Sequence, residues 1–282
     1  MSLELAETVL APARSAESEA SRPPAPRKRP VVALTAAATL VTLLLAWTVA
    51  AHFQLVSALF LPSPLAVGKA FLTVARDGFV DATLWQHLSA SLARVFAALV
   101  GATAIAVPIG FAIGASRIGR GIFDPIIEFL RPIPPLAYLP LVIIWFGIGE
   151  PSKILIIGVA MLAPIVISTA SGVKGADPDR LNAARSLGAT RGQLLRHVVL
   201  PSALPSILTG IRIALGAGWS TLVAAELVAA SRGLGFMIQS AAQFLVTDVV
   251  LMGILVIAAV AFALEATLRW IERRLVPWAG KA

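Results

Sequence analysis

The chain has 282 residues, of which 58% are hydrophobic and only 13% are charged, and its mean hydropathy is +0.87. Soluble domains carry about 25% charged residues, so this composition excludes a soluble globular protein and indicates an integral membrane protein. The net charge is +8 and there is no cysteine, which excludes disulfides, thiolate metal sites and cysteine nucleophiles.

The first thirty residues are polar, contain several prolines and have no aromatic side chain, which is typical of a disordered segment. Four glutamates precede their basic cluster, and the segment is too long and polar for a signal peptide. We therefore predict that residues 1–30 are a disordered tail that is retained in the cytoplasm.

Six largely uncharged runs follow, each long enough to cross a bilayer as a helix. They are residues 31–51, 95–115, 123–146, 154–173, 203–228 and 249–270. The third run is interrupted by Pro132, Pro134, Pro135 and Pro140, so we expect it to be kinked and covered by neighbouring helices. In the second run Gly101, Gly110 and Gly114 predict close approach of another helix. The predicted fold is an all-α polytopic membrane protein with six transmembrane helices.

Lysine and arginine residues are concentrated on one side of this topology. If the N-terminus is cytoplasmic, the inner segments hold sixteen of them and the outer segments at most five, with Arg94 near an outer boundary. Because positive residues accumulate in cytoplasmic segments, both termini are predicted to be cytoplasmic. The net charge is thus a topology signal, and no nucleic-acid partner is expected.

The interval DPDRLNAARSLGATRGQLLRHVVLP at residues 177–201 is the longest charged stretch between two of these runs. Asp177 is followed by proline and can cap a helix, and Gly188 suits a left-handed stop. Thr190 can cap a second helix that leads into the next apolar run. We therefore predict a short helix that projects between two membrane spans.

This spacing resembles the cytoplasmic loop of the membrane subunits of bacterial ATP-binding-cassette importers, whose pattern is E-A-A, three residues, G, nine residues and I-x-L-P. The matching residues are Asn182, Ala183, Ala184, Gly188, Val198, Leu200 and Pro201. Asn182 replaces the glutamate of the pattern, and Val198 replaces its isoleucine. The resemblance implies a cytoplasmic coupling helix that docks onto an ATPase subunit. The residues predicted to dock are Asp177, Leu181, Asn182, Ala183, Ala184, Arg185, Leu187 and Gly188.

Four later segments resemble the permease subunits of taurine importers and, more loosely, those for other sulfonates and nitrate. They are GWSTLVAAE at residues 218–226, RGLGFM at 232–237, TDVV at 247–250 and ERRLVPW at 272–278. The resemblance is best over residues 84–278, which we assign as the importer transmembrane domain. Residues 31–83 are assigned to the first transmembrane helix and a periplasmic segment, and residues 279–282 to a cytoplasmic tail.

The resemblance implies a homodimer that works with two ATPase subunits and a periplasmic binding protein, on which substrate selection largely depends. The chain has no G-x-x-x-x-G-K-[ST] phosphate loop, so we do not expect it to be an enzyme. ATP and Mg²⁺ would belong to the partner ATPase, and no cofactor is expected in this chain.

Arg212, Trp219 and Glu226 are spaced by seven and should share one stripe of the fifth span. Ionisable groups within membrane spans are costly and usually face a cavity or a partner. We hypothesise that this stripe faces the translocation path at the dimer axis. The alternative is structural: Arg212 bonds carbonyl groups freed by the prolines of the third run, and Glu226 caps a helix or pairs at an interface.

Gly233 and Gly235 flank Leu234 and precede Phe236, which predicts a turn followed by an amphipathic helix between the fifth and sixth spans. The resemblance implies that these four residues belong to an outer gate, and a plain connecting turn is the alternative.

Two other classes compete with an importer permease. A secondary transporter would need paired acids in mid-membrane and an inverted repeat of broken spans, neither of which is evident. A membrane enzyme would need a catalytic cluster, but the three histidines are far apart in sequence. The sequence therefore favours a taurine or small-sulfonate permease, with permeases for other aliphatic sulfonates or nitrate as the alternative.

Overall fold

The computed structural model describes residues 29–278. The predicted tails therefore lie outside the described residues, except that residues 29 and 30 belong to the first helix and not to the tail. No β-strand occurs within residues 29–278; an isolated bridge joins Phe79 and Ala82. The all-α prediction is confirmed.

The described residues form eleven α-helices, numbered here in chain order. They are α1 (Arg29–His52), α2 (Pro64–Arg76), α3 (Leu84–Ala115), α4 (Arg117–Leu130), α5 (Leu139–Phe146), α6 (Glu150–Lys174), α7 (Pro178–Ser186), α8 (Arg191–Leu194), α9 (Leu200–Ala229), α10 (Leu234–Gln243) and α11 (Thr247–Leu275). A 3₁₀ turn at Pro135–Tyr138 precedes α5, and a π-helical segment at Leu195–Val199 joins α8 to α9.

The chain divides into two compact units, and the boundary falls after Phe53. The described part of the first unit is the apolar helix α1. The hydroxyl groups of Thr39, Thr42 and Thr48 each donate to the carbonyl oxygen four residues earlier. These bonds satisfy the few polar groups of the helix internally, as a lipid environment requires.

The second unit begins at Gln54, and α6 lies at its centre, packed along both α3 and α9. Small residues allow these close contacts. A Cβ atom added at Gly110 would overlap Thr169, and one added at Gly210 would overlap Ser168. Close approach was predicted correctly for Gly110 and Gly114 and wrongly for Gly101, which has open space where a Cβ would lie. Helices without a hydrophobic driving force between them pack in this way.

The third predicted span is broken, as its prolines indicated. The segments Arg117–Leu130 and Pro135–Phe146 meet at a bend of 89°, and the second segment begins with the 3₁₀ turn that leads into α5. Pro140 lies in the first turn of α5, where no backbone donor is needed. Five described helices are long and apolar enough to cross a membrane, and the bent pair brings the number to six if it is one span.

Candidate functional site

The structure contains the predicted short helix in residues 177–201, which we call the coupling segment. Asp177 caps α7, because its Oδ1 atom accepts from the backbone N–H of Asp179 at 2.9 Å. The helix has nine residues and ends before Gly188, whose φ of +81° lies in the left-handed region. The N-cap and the glycine stop were therefore predicted correctly.

The surface of α7 is open, and no residue in it is buried. Leu187 is 89% exposed, which is extreme for a leucine in an ordered segment. Leu181, which is also among the residues predicted to dock, packs against the internal cluster that includes Val199 and Ala203. The two leucines predicted to dock therefore differ, because Leu181 faces inward and Leu187 faces outward.

The residues around Leu187 form a shallow concave surface. A cavity of about 340 Å³ is lined by Ala184, Leu187, Gly188, Ala189, Gln193, Leu194, His197 and Val198. At the position where Asn182 replaces the family glutamate, its side-chain oxygen accepts from the Arg185 guanidinium at 3.1 Å. The asparagine is therefore engaged within the helix. ATPase docking by the eight predicted residues stays a prediction.

The coupling segment is continuous with α9. Thr190 caps α8 in a capping box with Gln193, in which each side chain bonds the backbone N–H of the other residue. The chain then passes through the π-helical segment into α9, with Pro201 in the first turn of that helix. The chain is therefore helical without a break from Arg191 into α9, and the turn at residues 187–190 joins α7 to this stretch.

The structure separates the three residues predicted to form one stripe of α9. Arg212 and Trp219 line a cavity of about 540 Å³ between α9 and α11, together with Ser220 and Glu265. The Nε1–H group of Trp219 is buried without a hydrogen-bond partner. Glu226 does not line this cavity and is buried at 1% exposure elsewhere. The translocation role of the three residues stays a prediction.

Arg212 does not bond carbonyl groups of the broken span, contrary to the structural alternative. Its Nη1 atom lies 3.2 Å from Oε2 of Glu272 on α11, and Thr209 donates to the same carboxylate at 3.4 Å. The ion pair is partly exposed, so it leaves part of the guanidinium available to a molecule in the cavity.

Glu226 belongs to a polar group that we call the Arg94 cluster, in which every member except the half-exposed Glu150 is buried. Its members are His87, Ser91, Arg94, Glu150, Lys153 and Glu226. Arg94 is 3% exposed; its Nη1 atom donates to Glu226 at 2.6 Å, while Nε and Nη2 donate to Glu150 at 2.6 and 2.8 Å. Lys153 also pairs with Glu150, at 2.7 Å. Two cations and two carboxylates therefore balance one another.

The Arg94 cluster surrounds the predicted gate residues. Gly233, Leu234 and Gly235 are buried at the start of α10, and the Phe236 ring lies 6.4 Å from the His87 ring. A Cβ atom on Gly233 would overlap the Glu226 carboxylate, so only glycine fits, and its φ of +138° also favours glycine. The predicted helix after the turn is α10.

Sequence reasoning missed His87, Ser91, Glu150 and Lys153, and placed Arg94 only at a boundary. One signal was present: His87, Ser91 and Arg94 follow at intervals of four and three, so they form a polar stripe on one face of α3. Within residues 29–278 no group of three or more acidic or histidine side chains is arranged to hold a metal ion.

Comparison with known proteins relates this architecture to transporters. The family described as "Binding-protein-dependent transport system inner membrane component" matches residues 104–277. The taurine transport system permease protein TauC of Escherichia coli K12 is 60% identical over 244 residues, covering 86% of this chain and 89% of TauC. The putative aliphatic sulfonates transport permease protein SsuC of the same strain is 37% identical, covering 82% of this chain and 87% of SsuC.

Among solved structures, a chain of the inward-facing MetNI methionine transporter has a TM-score of 0.58 at 22% identity, covering 69% of this chain and 94% of that one. This likeness concerns the fold. The matched family spans more than half of the chain, and the sequence relatives cover most of it. The chain is therefore a member of the binding-protein-dependent transport system inner membrane component family, the permease subunits of ATP-binding-cassette importers.

Proposed function

We propose that this chain is the permease subunit of an importer for taurine or a closely related small sulfonate. The observation that carries the proposal is the 60% identity to a taurine permease across 89% of that protein. Identity to the aliphatic-sulfonate permease is lower, at 37% over a similar length. That relative makes longer aliphatic sulfonates the second candidate substrate class.

The assembly that fits this function contains two copies of the chain, two ATPase subunits that bind ATP and Mg²⁺, and a periplasmic binding protein. The coupling segment supports the place of the ATPase. Its projecting helix carries the exposed Leu187, and the chain continues from it into α9. Burying an exposed leucine against a partner groove favours association, because it removes apolar surface from water.

In this proposal the protein lies in the inner membrane with both termini in the cytoplasm. The lysine and arginine distribution supports this orientation, with sixteen such residues on the inner side and at most five on the outer side. The orientation puts the coupling segment on the side where ATP is available and the 232–235 turn on the side where a binding protein delivers substrate.

The cavity between α9 and α11 suits part of the path for an anionic group. A sulfonate offers only hydrogen-bond acceptors, and the cavity offers the Arg212 guanidinium as a charged donor. Glu265 lines the same cavity, and its carboxylate pairs with Arg269 at 2.7 Å. Arg212 is therefore the residue that gives this cavity a partner for the sulfonate end of taurine.

Uptake of radiolabelled taurine tests the proposal. The chain is expressed in E. coli lacking TauC, with the remaining components of that taurine system, and then with a complete aliphatic-sulfonate system lacking its permease. We expect taurine uptake in the first arrangement and competition by unlabelled taurine but not by nitrate. Sulfonate uptake only in the second arrangement would favour the second candidate, and uptake in neither would overturn the proposal.

A further inference from the structure

We infer that His87, Ser91 and Arg94 of α3, together with Glu226 of α9, form a latch that holds the 232–235 turn shut and releases it as one unit. This inference rests on the proposed function, which places the turn at the entrance that the substrate uses. It assigns positioning roles to three α3 residues. They act on transport through the turn and not by contact with substrate.

Four consecutive backbone groups of the turn are each bonded to a buried side chain. The Arg232 carbonyl accepts from Arg94 at 2.7 Å, and the N–H groups of Gly233, Leu234 and Gly235 donate to His87, Ser91 and Glu226 at 3.1, 2.9 and 2.8 Å. The first N–H groups of a helix lack partners within the helix. Here α3 and α9 provide those partners at the start of α10.

Ser91 links the turn to Glu226. Its hydroxyl donates to the Glu226 carboxylate, at 2.8 Å from Oε1 and 3.0 Å from Oε2, while accepting from Leu234. His87 has a comparable double role, because its Nδ1 atom accepts from Gly233 and its Nε2 atom bonds the carbonyl of Phe79. The two bonds together assign the tautomer, because Nδ1 accepts and Nε2 must therefore carry the proton that it donates.

The balance of charge makes partial opening costly. Arg94 and Glu226 are both almost fully buried, at 4% and 0% side-chain exposure, so separating them leaves the Glu226 carboxylate away from water without its cation, while Arg94 keeps its bonds to Glu150. Gly233 and Gly235 lie so close to Glu226 that a Cβ on either would contact its side chain. The turn is therefore packed directly against the carboxylate, and moving it away from α3 and α9 would break the four bonds to its backbone.

A reporter cysteine tests the latch in the full chain, which has no native cysteine. Leu234→Cys places a thiol at a side chain that is 1% exposed, and Phe244→Cys, at 74% exposure, gives the rate for an open site. A membrane-impermeant maleimide is applied to membranes containing the reporter chain. We expect slow labelling at position 234 and rapid labelling at position 244.

Ser91→Ala in the Leu234→Cys chain removes the central hydroxyl with little change in volume. We expect about tenfold faster labelling, because leaving one buried N–H unsatisfied shifts an opening equilibrium by about that factor. The matched control is Ser89→Ala, since Ser89 lies on the exposed face of α3 and bonds only its own helix. His87→Leu removes a different bond of the latch and should also accelerate labelling if Ser91→Ala does not reach the membrane.

A second measurement separates a latch from a merely stabilising contact. In the assembled transporter, premature release of the turn should raise ATP hydrolysis several-fold without binding protein, at unchanged amounts of complex. Equal labelling in Ser91→Ala, His87→Leu and Ser89→Ala, or faster labelling with unchanged hydrolysis, would overturn the inference. Absence of taurine uptake by the parent chain would count against the proposed function alone, because the labelling comparison needs no substrate.

Discussion

The guanidinium of Arg94 lies 2.6 Å from the carboxylate of Glu226, although 132 positions separate the two residues in sequence. The same guanidinium holds Glu150 with its two other nitrogens, so a single side chain joins α3, α6 and α9. Helices in a membrane gain little from apolar contact with one another. A buried ionic contact can therefore determine how such helices are arranged, provided that every charge is paired.

Arg94→Gln should destabilise the protein by about 3–5 kcal/mol, because it leaves the Glu226 carboxylate buried without its cation. The measurement is reversible unfolding in mixed detergent micelles. Arg269→Gln is the control, since the Arg269 and Glu265 side chains are both about half exposed and such pairs contribute about 0–1 kcal/mol. Equal losses of stability in Arg94→Gln and Arg269→Gln would contradict the expectation that the buried pair contributes more than the exposed one. The double variant Arg94→Met/Glu226→Met should lose less stability than Arg94→Met alone, because Glu226 no longer leaves an unpaired carboxylate.

Gly235→Ala should cost about 1–3 kcal/mol, because the new methyl group would overlap the carbonyl of Val223 and press on Glu226. Gly101→Ala is the matched control, since a Cβ there meets no atom within 4 Å. Thermal unfolding in detergent and taurine uptake are measured for both variants. Normal uptake and stability in Gly235→Ala would show that the start of α10 has more room than the structure indicates.

Local signals in the sequence were sufficient for the elements that position the coupling segment. Asp177 and Thr190 cap helices because their side-chain oxygens reach backbone N–H groups two or three residues away, and Gly188 ends α7 because it tolerates a positive φ. Such contacts depend on neighbouring residues alone. The break in the third span could be predicted for the same reason, whereas the start of α3 at Leu84 lies well before the predicted start at residue 95.

The Arg94 cluster could not be predicted in this way, because its members come from three separate helices. The stripe of His87, Ser91 and Arg94 shows that one face of α3 is polar, but not which acids face it. The spacing of seven on α9 also suggested one shared environment for Arg212, Trp219 and Glu226. Residues on one helical stripe can have different neighbours, and here Glu226 does not line the cavity. Glu226 lies near the end of α9 and contacts α3. Arg212 lies on α9 two turns before Trp219, and it contacts α11.

Leu187→Asp should abolish ATPase docking, because a carboxylate would replace the most exposed apolar side chain of the coupling segment. We expect at least about a tenfold fall in the ATPase that copurifies with the chain, which corresponds to about 1.4 kcal/mol of binding free energy. Leu245→Asp is the control, because Leu245 is also exposed but follows α10. Undiminished copurification of Leu187→Asp would contradict docking through this residue.

Labelling of single cysteines should establish the orientation of the chain. Leu187→Cys is expected to react with an impermeant maleimide only after cells are permeabilised, and Phe244→Cys should react in intact cells, since both side chains are well exposed. The lysine and arginine distribution is the physical reason for this expectation. Labelling of Leu187→Cys in intact cells would invert the topology and remove the basis for ATPase docking at the coupling segment.

Arg212→Gln should reduce taurine uptake about tenfold or more while changing stability by no more than about 1 kcal/mol, because its pair with Glu272 is partly exposed. Arg212→Glu should be more severe, since it would bring a second carboxylate close to Glu272. Arg117→Gln removes an exposed cation that does not line the cavity, and it should leave uptake unchanged. Expression and ATPase copurification are measured for each variant, so that a loss of uptake is assigned to the cavity and not to assembly. If Arg212→Glu transports taurine at the parental rate with normal assembly, Arg212 does not contribute to the translocation path.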